Sequence, residues 1–327
     1  MINISVWGMG SRAKRFIENI RLYGREEWEI VAITDSLTEK TNGSFFGIPV
    51  YSFEEWCEVS TDCIVVCANG YEEEISKVIN KLSGENKKYY TPYDSSLYTE
   101  VLCANRINMM LKENDLFKIF KLHEHNNSVK WLHYFDIYDK WFSKYRNTDV
   151  IVCEIGVNEG GSVQIWKDYF GKDATVIGID ILEECKKYDE EQIHIEIGSQ
   201  ADINFLNYIK SKYPRIDILI DDGSHINEHQ ILTFENMFSH ISNGGVYLCE
   251  DLHTSYWGNY GGGYKKEQTM MEYVKNFIDI QNANYFDSSN LSCNYNDMNM
   301  CYGLHFYDSM VLIEKNVVLY PTMIESK

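Results

Sequence analysis

An α/β protein with two Rossmann-like domains joined by a helical connector is the architecture this sequence predicts. Three observations carry that expectation. Apolar strand-like runs alternate with helix-like segments over residues 1–95. The strand signal then stops, and aromatics and leucines recur at helical spacing over 96–147. Alternation resumes over 148–327. Strands alternating with helices imply parallel sheets with helices packed on their faces.

In the first domain Ile2 to Trp7 reads as a strand, Arg12 to Tyr23 as a helix, and Glu29 to Thr34 as a second strand ending at Asp35. Thr61 to Ala68 is a buried strand and Glu72 to Lys81 a helix. Gly8, Gly10 and Ala13 match G-x-G-x-x-A with an acid after the second strand, a weak nucleotide signal when it stands alone. The connector holds LFKIFKLHEH and KWLHYFDIYDKWF. Its stripe of Trp131, Tyr134, Phe135, Tyr138, Trp141 and Phe142 reads as packing against the next domain. In the last segment strands are expected at Val150–Ile155, Thr175–Ile181, His194–Ile197, Ile216–Ile220, Val246–Cys249 and Met310–Ile313. Val317–Tyr320 is taken as a last antiparallel partner.

A chain of 327 residues can bury two cores, and 44% apolar with 24% charged residues is a globular composition. The net charge of −19 argues against non-specific nucleic-acid binding, which needs surplus Lys and Arg, and leaves carboxylates for a hard cation. Nine scattered cysteines without a CxxC pair argue against a disulfide framework or structural zinc. The opening MINISVWGMG is strand-like rather than a signal peptide, and no apolar stretch approaches the roughly 20 residues that span a bilayer. A cytoplasmic protein with no membrane or nucleic-acid partner is expected, self-association being left open.

Ligands of open α/β sheets bind beyond the carboxyl ends of the strands, so the residues just after each run are informative. The first strand of the last domain ends in EIGVNEGGS, where Gly156, Gly160 and Gly161 let backbone approach a ligand. A leading Glu154 is a poor neighbour for a pyrophosphate but suits a cationic centre. The second strand ends at Asp180, placed to accept hydrogen bonds from ribose hydroxyls, and the third in GSQAD, placing Ser199 and Gln200 near an adenine. Adenosine with positive charge and no diphosphate describes S-adenosylmethionine. Its expected contacts are Glu154, Gly156, Asn158, Gly161, Ser162, Asp180, Ser199, Gln200 and Asp221.

The fourth strand runs into IDDGSH and the fifth into YLCEDLHTSYW. If these strands are neighbours, about 4.8 Å apart, Asp222, Glu250 and Asp251 converge. Such carboxylates repel, and a divalent cation relieves them; oxygen-only ligation suits Mg²⁺. A metal there would favour the alkoxide of a sugar hydroxyl, and His225, three residues past Asp222, is the candidate base. His229 and His253 are weaker candidates.

EIGVNEGGS, IGIDI, IDDGSH, YLCEDLHTSYW and LHFYDSMVLIEK, in this order, resemble the metal-dependent sugar O-methyltransferases of macrolide biosynthesis and related rhamnosyl enzymes, over about Lys130 to Lys315. The resemblance implies a class I methyltransferase fold, a mainly parallel seven-stranded sheet with helices on both faces. It implies Mg²⁺ on Asp222, Glu250 and Asp251, His225 as base, and methyl-donor binding by Glu154 to Ser162 and Asp180. It also casts WGNYGGG, Trp257 to Gly263, as a mobile cover. The front domain departs from that pattern. VWGMGSRAKRFI, Asp35 and FFGIPVYSFEEW are similar to small Rossmann-like domains ahead of bacterial polysaccharide-biosynthesis enzymes, which favours a sugar or sugar-nucleotide of a surface glycan as acceptor. A phosphorylated polyol acceptor, or an NAD-binding oxidoreductase or sensor, are the competing expectations.

Overall fold

The computed structural model describes the chain except residues 24–27, 36–42, 69–71, 84–88, 93, 95, 283–284, 286–299, 319–321 and 327. It forms two compact units, Met1–Glu113 and Asn114–Lys327.

The first unit runs β1 (Ile2–Trp7), α1 (Ser11–Tyr23), β2 (Trp28–Thr34), β3 (Gly43–Phe45), β4 (Ile48–Val50), α2 (Phe53–Cys57), β5 (Cys63–Val66), α3 (Glu72–Ser83), β6 (Tyr89–Tyr90) and α4 (Ala104–Glu113). Its sheet has the order β3-β4-β2-β1-β5-β6, parallel except for the β3–β4 hairpin. Side chains alternate across a strand, so β1 feeds two cores. Ile4 and Val6 pack with Ala13, Phe16 and Ile17 of α1, while Trp7 packs with Trp56 and Ile79 on the other side.

The second unit runs α5 (Asp115–Leu122), α6 (Tyr134–Phe142), β7 (Ile151–Ile155), α7 (Gly161–Phe170), β8 (Thr175–Asp180), β9 (Ile193–Ile197), α8 (Ile203–Lys212), β10 (Ile216–Asp221), α9 (Asn227–Met237), β11 (Ile241–Cys249), α10 (Met270–Gln281), β12 (Cys301–Tyr307) and β13 (Met310–Lys315). The sheet order is β12-β13-β11-β10-β7-β8-β9, with β11 to β9 parallel and β13 and β12 antiparallel. Every residue of β10, IDILID, is buried, as a central strand covered on both faces requires. Strand order reverses between β7 and β10, which opens a crevice at their carboxyl ends.

Two expectations meet a different arrangement. The helical segment over 96–147 divides between the units, α4 lying in the first and α5 and α6 in the second. The antiparallel partner of β13 is β12, joined by a tight turn at Asp308–Ser309 with Ser309 at positive φ. That two-residue hairpin was present in LHFYDSMVL but was not read as a strand pair. The expected run Val317–Tyr320 forms no strand at Val317 and Val318, and its last two residues lie outside the described ones.

Candidate active site

Loops after β7, β8, β9, β10 and β11 enclose a cavity of about 520 Å³ in the second unit. Gly156, Asn158, Ser162, Asp180, Ser199 and Gln200 line it, together with Asp222, His225 and Asp251. Of the residues expected at the methyl donor, Glu154, Gly161 and Asp221 are not in its lining and support it from behind.

The supports explain the loop shapes. Gly156 has φ +100°, and a Cβ there would sit 2.1 Å from the carbonyl oxygen of Asp222, so only glycine lets the two strand ends meet. A Cβ on Gly161 would lie 2.3 Å from the carbonyl oxygen of Asn127, which shows how tightly the Asn126–Lys130 segment presses on the start of α7. The Asp180 carboxylate accepts the N–H groups of Val157 and Asn158, both at 2.9 Å, and of Leu182 at 3.0 Å. It therefore shapes the glycine loop and still has lone pairs toward the cavity. Asp221 is fully buried. It accepts hydrogen bonds from Gln200 Nε2 and the Tyr247 hydroxyl, both at 2.9 Å, and burial raises its pKa to about 6. Gln200 Oε1 in turn accepts the Ser224 N–H at 2.8 Å and clamps the DDGSH turn.

Strands β10 and β11 are neighbours, with Asp221 paired to Cys249, so the acids that follow them come together. Asp222, His225 and Asp251 each offer a ligand atom, all within 4.8 Å of one another. His225 Nε2 lies 3.8 Å from Asp251 Oδ2, and Nδ1 is buried without a hydrogen-bond partner. His225 and Asp251 both hold left-handed backbone, at φ 57° and 55°, a conformation that costs side-chain-bearing residues energy and is concentrated at functional sites. Thr254 Oγ1 donates to the carbonyl oxygens of both, which secures the strained pair.

Glu250 is placed otherwise. It is 1% exposed and accepts hydrogen bonds from the Tyr138 hydroxyl at 2.5 Å and from Lys130 Nζ at 2.9 Å. Burial and the neighbouring Asp222 raise its pKa, against the opposing pull of Lys130 and Tyr138. Lys130 Nζ also lies 2.5 Å from Asp222 Oδ2 and 3.7 Å from Glu154 Oε1. Burial works against its ammonium form, yet Asp222, Glu250 and Glu154 together hold its pKa well above the ordinary value. Of the carboxylates expected to share one metal, Asp222 and Asp251 meet His225, while Asp222 and Glu250 flank the Lys130 ammonium.

Sequence reading did not single out three side chains that contact these acids. Lys130 carries no motif. Tyr134 and Tyr138 sat in the aromatic stripe as packing residues, and both are buried; but Tyr134 also donates to Asp251 Oδ1 at 2.8 Å and Tyr138 to Glu250. Their spacing of four on α6, which aims two hydroxyls along one helix face, was the available signal. His229 lies on α9, lines the cavity and pairs with Ser224 Oγ at 2.9 Å; His253 Nδ1 pairs with Ser309 Oγ at 2.5 Å. The segment carried over as a cover is tied down by the Gly263 N–H to Ser255 carbonyl bond and by Asn227 Nδ2 to the Tyr260 carbonyl. In the first unit, Gly8 has φ +115°, and the Asp35 carboxylate accepts the Met9 N–H at 2.9 Å.

Comparison with known proteins separates the two units. Residues 1–90 match the family model described as C2185-like, N-terminal. Over 202 residues the chain is 38% identical to demethylmacrocin O-methyltransferase of Streptomyces fradiae, covering 58% of this chain and 50% of that one. Over 197 residues it is 38% identical to mycinamicin VI 2''-O-methyltransferase of Micromonospora griseorubida, covering 57% and 49%. The chain therefore spans about half the length of these curated relatives. Among solved structures, the MycE methyltransferase from the mycinamycin biosynthetic pathway, in complex with Mg and SAH, superposes with a TM-score of 0.57 at 30% identity, covering 65% of this chain and 60% of that one. The chain thus contains a class I methyltransferase fold. Among the described residues no helix is long and apolar enough to cross a membrane.

Proposed function

We propose that the chain is an S-adenosylmethionine- and Mg²⁺-dependent O-methyltransferase acting on a sugar hydroxyl, with a sugar or sugar-nucleotide of bacterial surface-glycan or other glycoside biosynthesis as acceptor. The observation that carries this reading is one cavity lined both by the glycine loop after β7 and by Asp222, His225 and Asp251. The relatives support it: the two curated ones are named as O-methyltransferases, and MycE is bound to Mg and SAH. A third relative is named for a rhamnosyl acceptor, the 8-demethyl-8-alpha-L-rhamnosyl tetracenomycin-C 2'-O-methyltransferase of Streptomyces olivaceus, 33% identical over 201 residues.

The residues present fit both groups. Asp222 and Asp251 supply hard oxygen donors close to one another, and Glu250 lies beside Asp222 across the Lys130 ammonium. When bound, the ion would polarise a hydroxyl and favour its alkoxide. His225 Nε2 is the nitrogen turned to Asp251; with the ring proton on Nδ1, its lone pair takes the hydroxyl proton. Asp251, 3.8 Å away, would stabilise the imidazole in its charged form. Gly156 and Asn158 let the donor approach the backbone, Asp180 meets the ribose, and Ser199 and Gln200 lie toward the base.

Calorimetric titration with S-adenosylhomocysteine and Mn²⁺, followed by methyl transfer to a panel of free and nucleotide-linked sugars read by the mass gain of one methyl, tests the proposal. Binding of both and a metal-dependent product are expected. Transfer that is indifferent to EDTA would remove the metal, and tight NAD binding with no response to the donor product would overturn the reading.

A further inference from the structure

We propose that Lys130 is the resident counter-ion of the site, a tethered cation that offsets its carboxylates and thereby sets how tightly it holds the divalent ion and the cationic donor. The inference rests on the methyltransferase reading above and deepens it.

The geometry is specific. Lys130 Nζ touches Asp222 and Glu250, at 2.5 and 2.9 Å, and faces Glu154 at 3.7 Å, with only 7% of its side chain exposed. Glu154 is fully buried, and its Oε1, the oxygen turned to Lys130, has no hydrogen-bond partner. Its other oxygen accepts the Ser162 hydroxyl at 2.7 Å. A buried, unpartnered carboxylate oxygen is costly unless a cation stands nearby. Lys130 also closes the segment Asn127–Lys130 that lines the cavity, and Asn126 Nδ2 ties that segment to Gln164 Oε1 of α7 at 2.9 Å.

Charge counting gives the role. Glu154, Asp222, Glu250 and Asp251 surround one cation, Lys130, and Asp180 lines the same cavity, so the acids outnumber the resident positive charge. A divalent ion and a sulfonium would add positive charge to that excess of acids. On methyl transfer the C–S bond breaks, its electrons return to sulfur, and the sulfonium becomes a neutral thioether. The new C–O bond uses the hydroxyl oxygen's electrons, and the released proton resides on His225. The net charge of the site is the same before and after. Without Lys130 the loaded site carries an extra negative charge, so cations bind more tightly and the donor is favoured over its neutral product.

Lys130→Met and Lys130→Arg, compared with wild type, test this by Mn²⁺ affinity (electron paramagnetic resonance) and by the affinities for S-adenosylmethionine and S-adenosylhomocysteine (calorimetry). For Lys130→Met we expect Mn²⁺ at least tenfold tighter and the donor-to-product affinity ratio raised at least fivefold. Lys130→Arg should stay within threefold of wild type on both. Unchanged or weaker Mn²⁺ binding with an unchanged ratio in Lys130→Met overturns the inference and leaves Lys130 a loop anchor. If Lys130→Met does not fold, Lys130→Met/Glu250→Gln removes one charge of each sign. Mn²⁺ affinity within threefold of wild type supports the inference, and a tenfold departure overturns it. A wild type that binds neither Mn²⁺ nor donor overturns the methyltransferase reading and the inference with it; a wild type that binds both beside an unaltered Lys130→Met overturns the inference alone.

Discussion

The two sheets begin alike and end differently. In each, the first strand runs into a glycine at positive φ, Gly8 after β1 and Gly156 after β7. In each, the acid after the second strand caps that loop, Asp35 on the Met9 N–H and Asp180 on the Val157 and Asn158 N–H groups. The contrast lies one strand further. After β5 comes Cys67, a buried thiol that burial pushes up to about 12, leaving it unreactive near neutral pH. After β10 and β11 come Asp222, Glu250 and Asp251, on the far side of Gly156. The shared architecture makes a loop beside a crevice; chemistry requires charge delivered to it by the neighbouring strands.

Glycine replacement should show the largest contrast. Gly156→Ala sets a Cβ 2.1 Å from a backbone oxygen at φ +100° and should cost on the order of 3 kcal/mol or more, abolishing donor binding. Gly8→Ala, whose nearest neighbours lie at 3.4 Å, should cost only about 1–2 kcal/mol of backbone strain and leave donor binding intact. Thermal melts and titration with S-adenosylhomocysteine compare the pair; equal behaviour would erase the distinction.

Next come the acids. Asp222→Ala should weaken Mn²⁺ binding by about 100-fold or more, whereas Asp35→Ala should not change it, as read by paramagnetic resonance. Asp180→Asn keeps the shape but loses the charge-assisted hydrogen bonds to the glycine loop, costing about 1–2 kcal/mol, roughly tenfold in product affinity by calorimetry. Tyr134→Phe should have the smallest effect. It removes the hydroxyl's two hydrogen bonds with Asp251, one to the carboxylate and one from the N–H, and should lower Mn²⁺ affinity by about tenfold at most, with little change in donor binding.

Much of this arrangement was legible before any coordinates. IDDGSH and YLCEDLHTSYW place acids directly after apolar runs, and a parallel sheet sets such ends side by side; Asp222, Glu250 and Asp251 were expected to converge near His225, and ligand atoms of Asp222, His225 and Asp251 lie within 4.8 Å of one another. Gln200 and Asp221 were expected at the donor. Gln200 lines the cavity, but Asp221 is buried behind it and holds Gln200 and Tyr247 in place. A residue that ends a strand can point into the crevice or into the layer behind, and the pleat decides which. Glu250 was expected beside Asp222 because their strands are neighbours; both carboxylates contact Lys130 Nζ, and Glu250 also accepts the Tyr138 hydroxyl.

The sequence by itself determined most strands of the second unit and the acids that follow several of them, because apolar periodicity and the residue that interrupts it are local properties of a few consecutive positions. Tertiary structure alone decided which cation answers those acids. Lys130 reaches Asp222 across 92 positions and Glu250 across 120, from a loop without a motif. Electrostatic pairing depends on distance in space, and no local pattern encodes that distance.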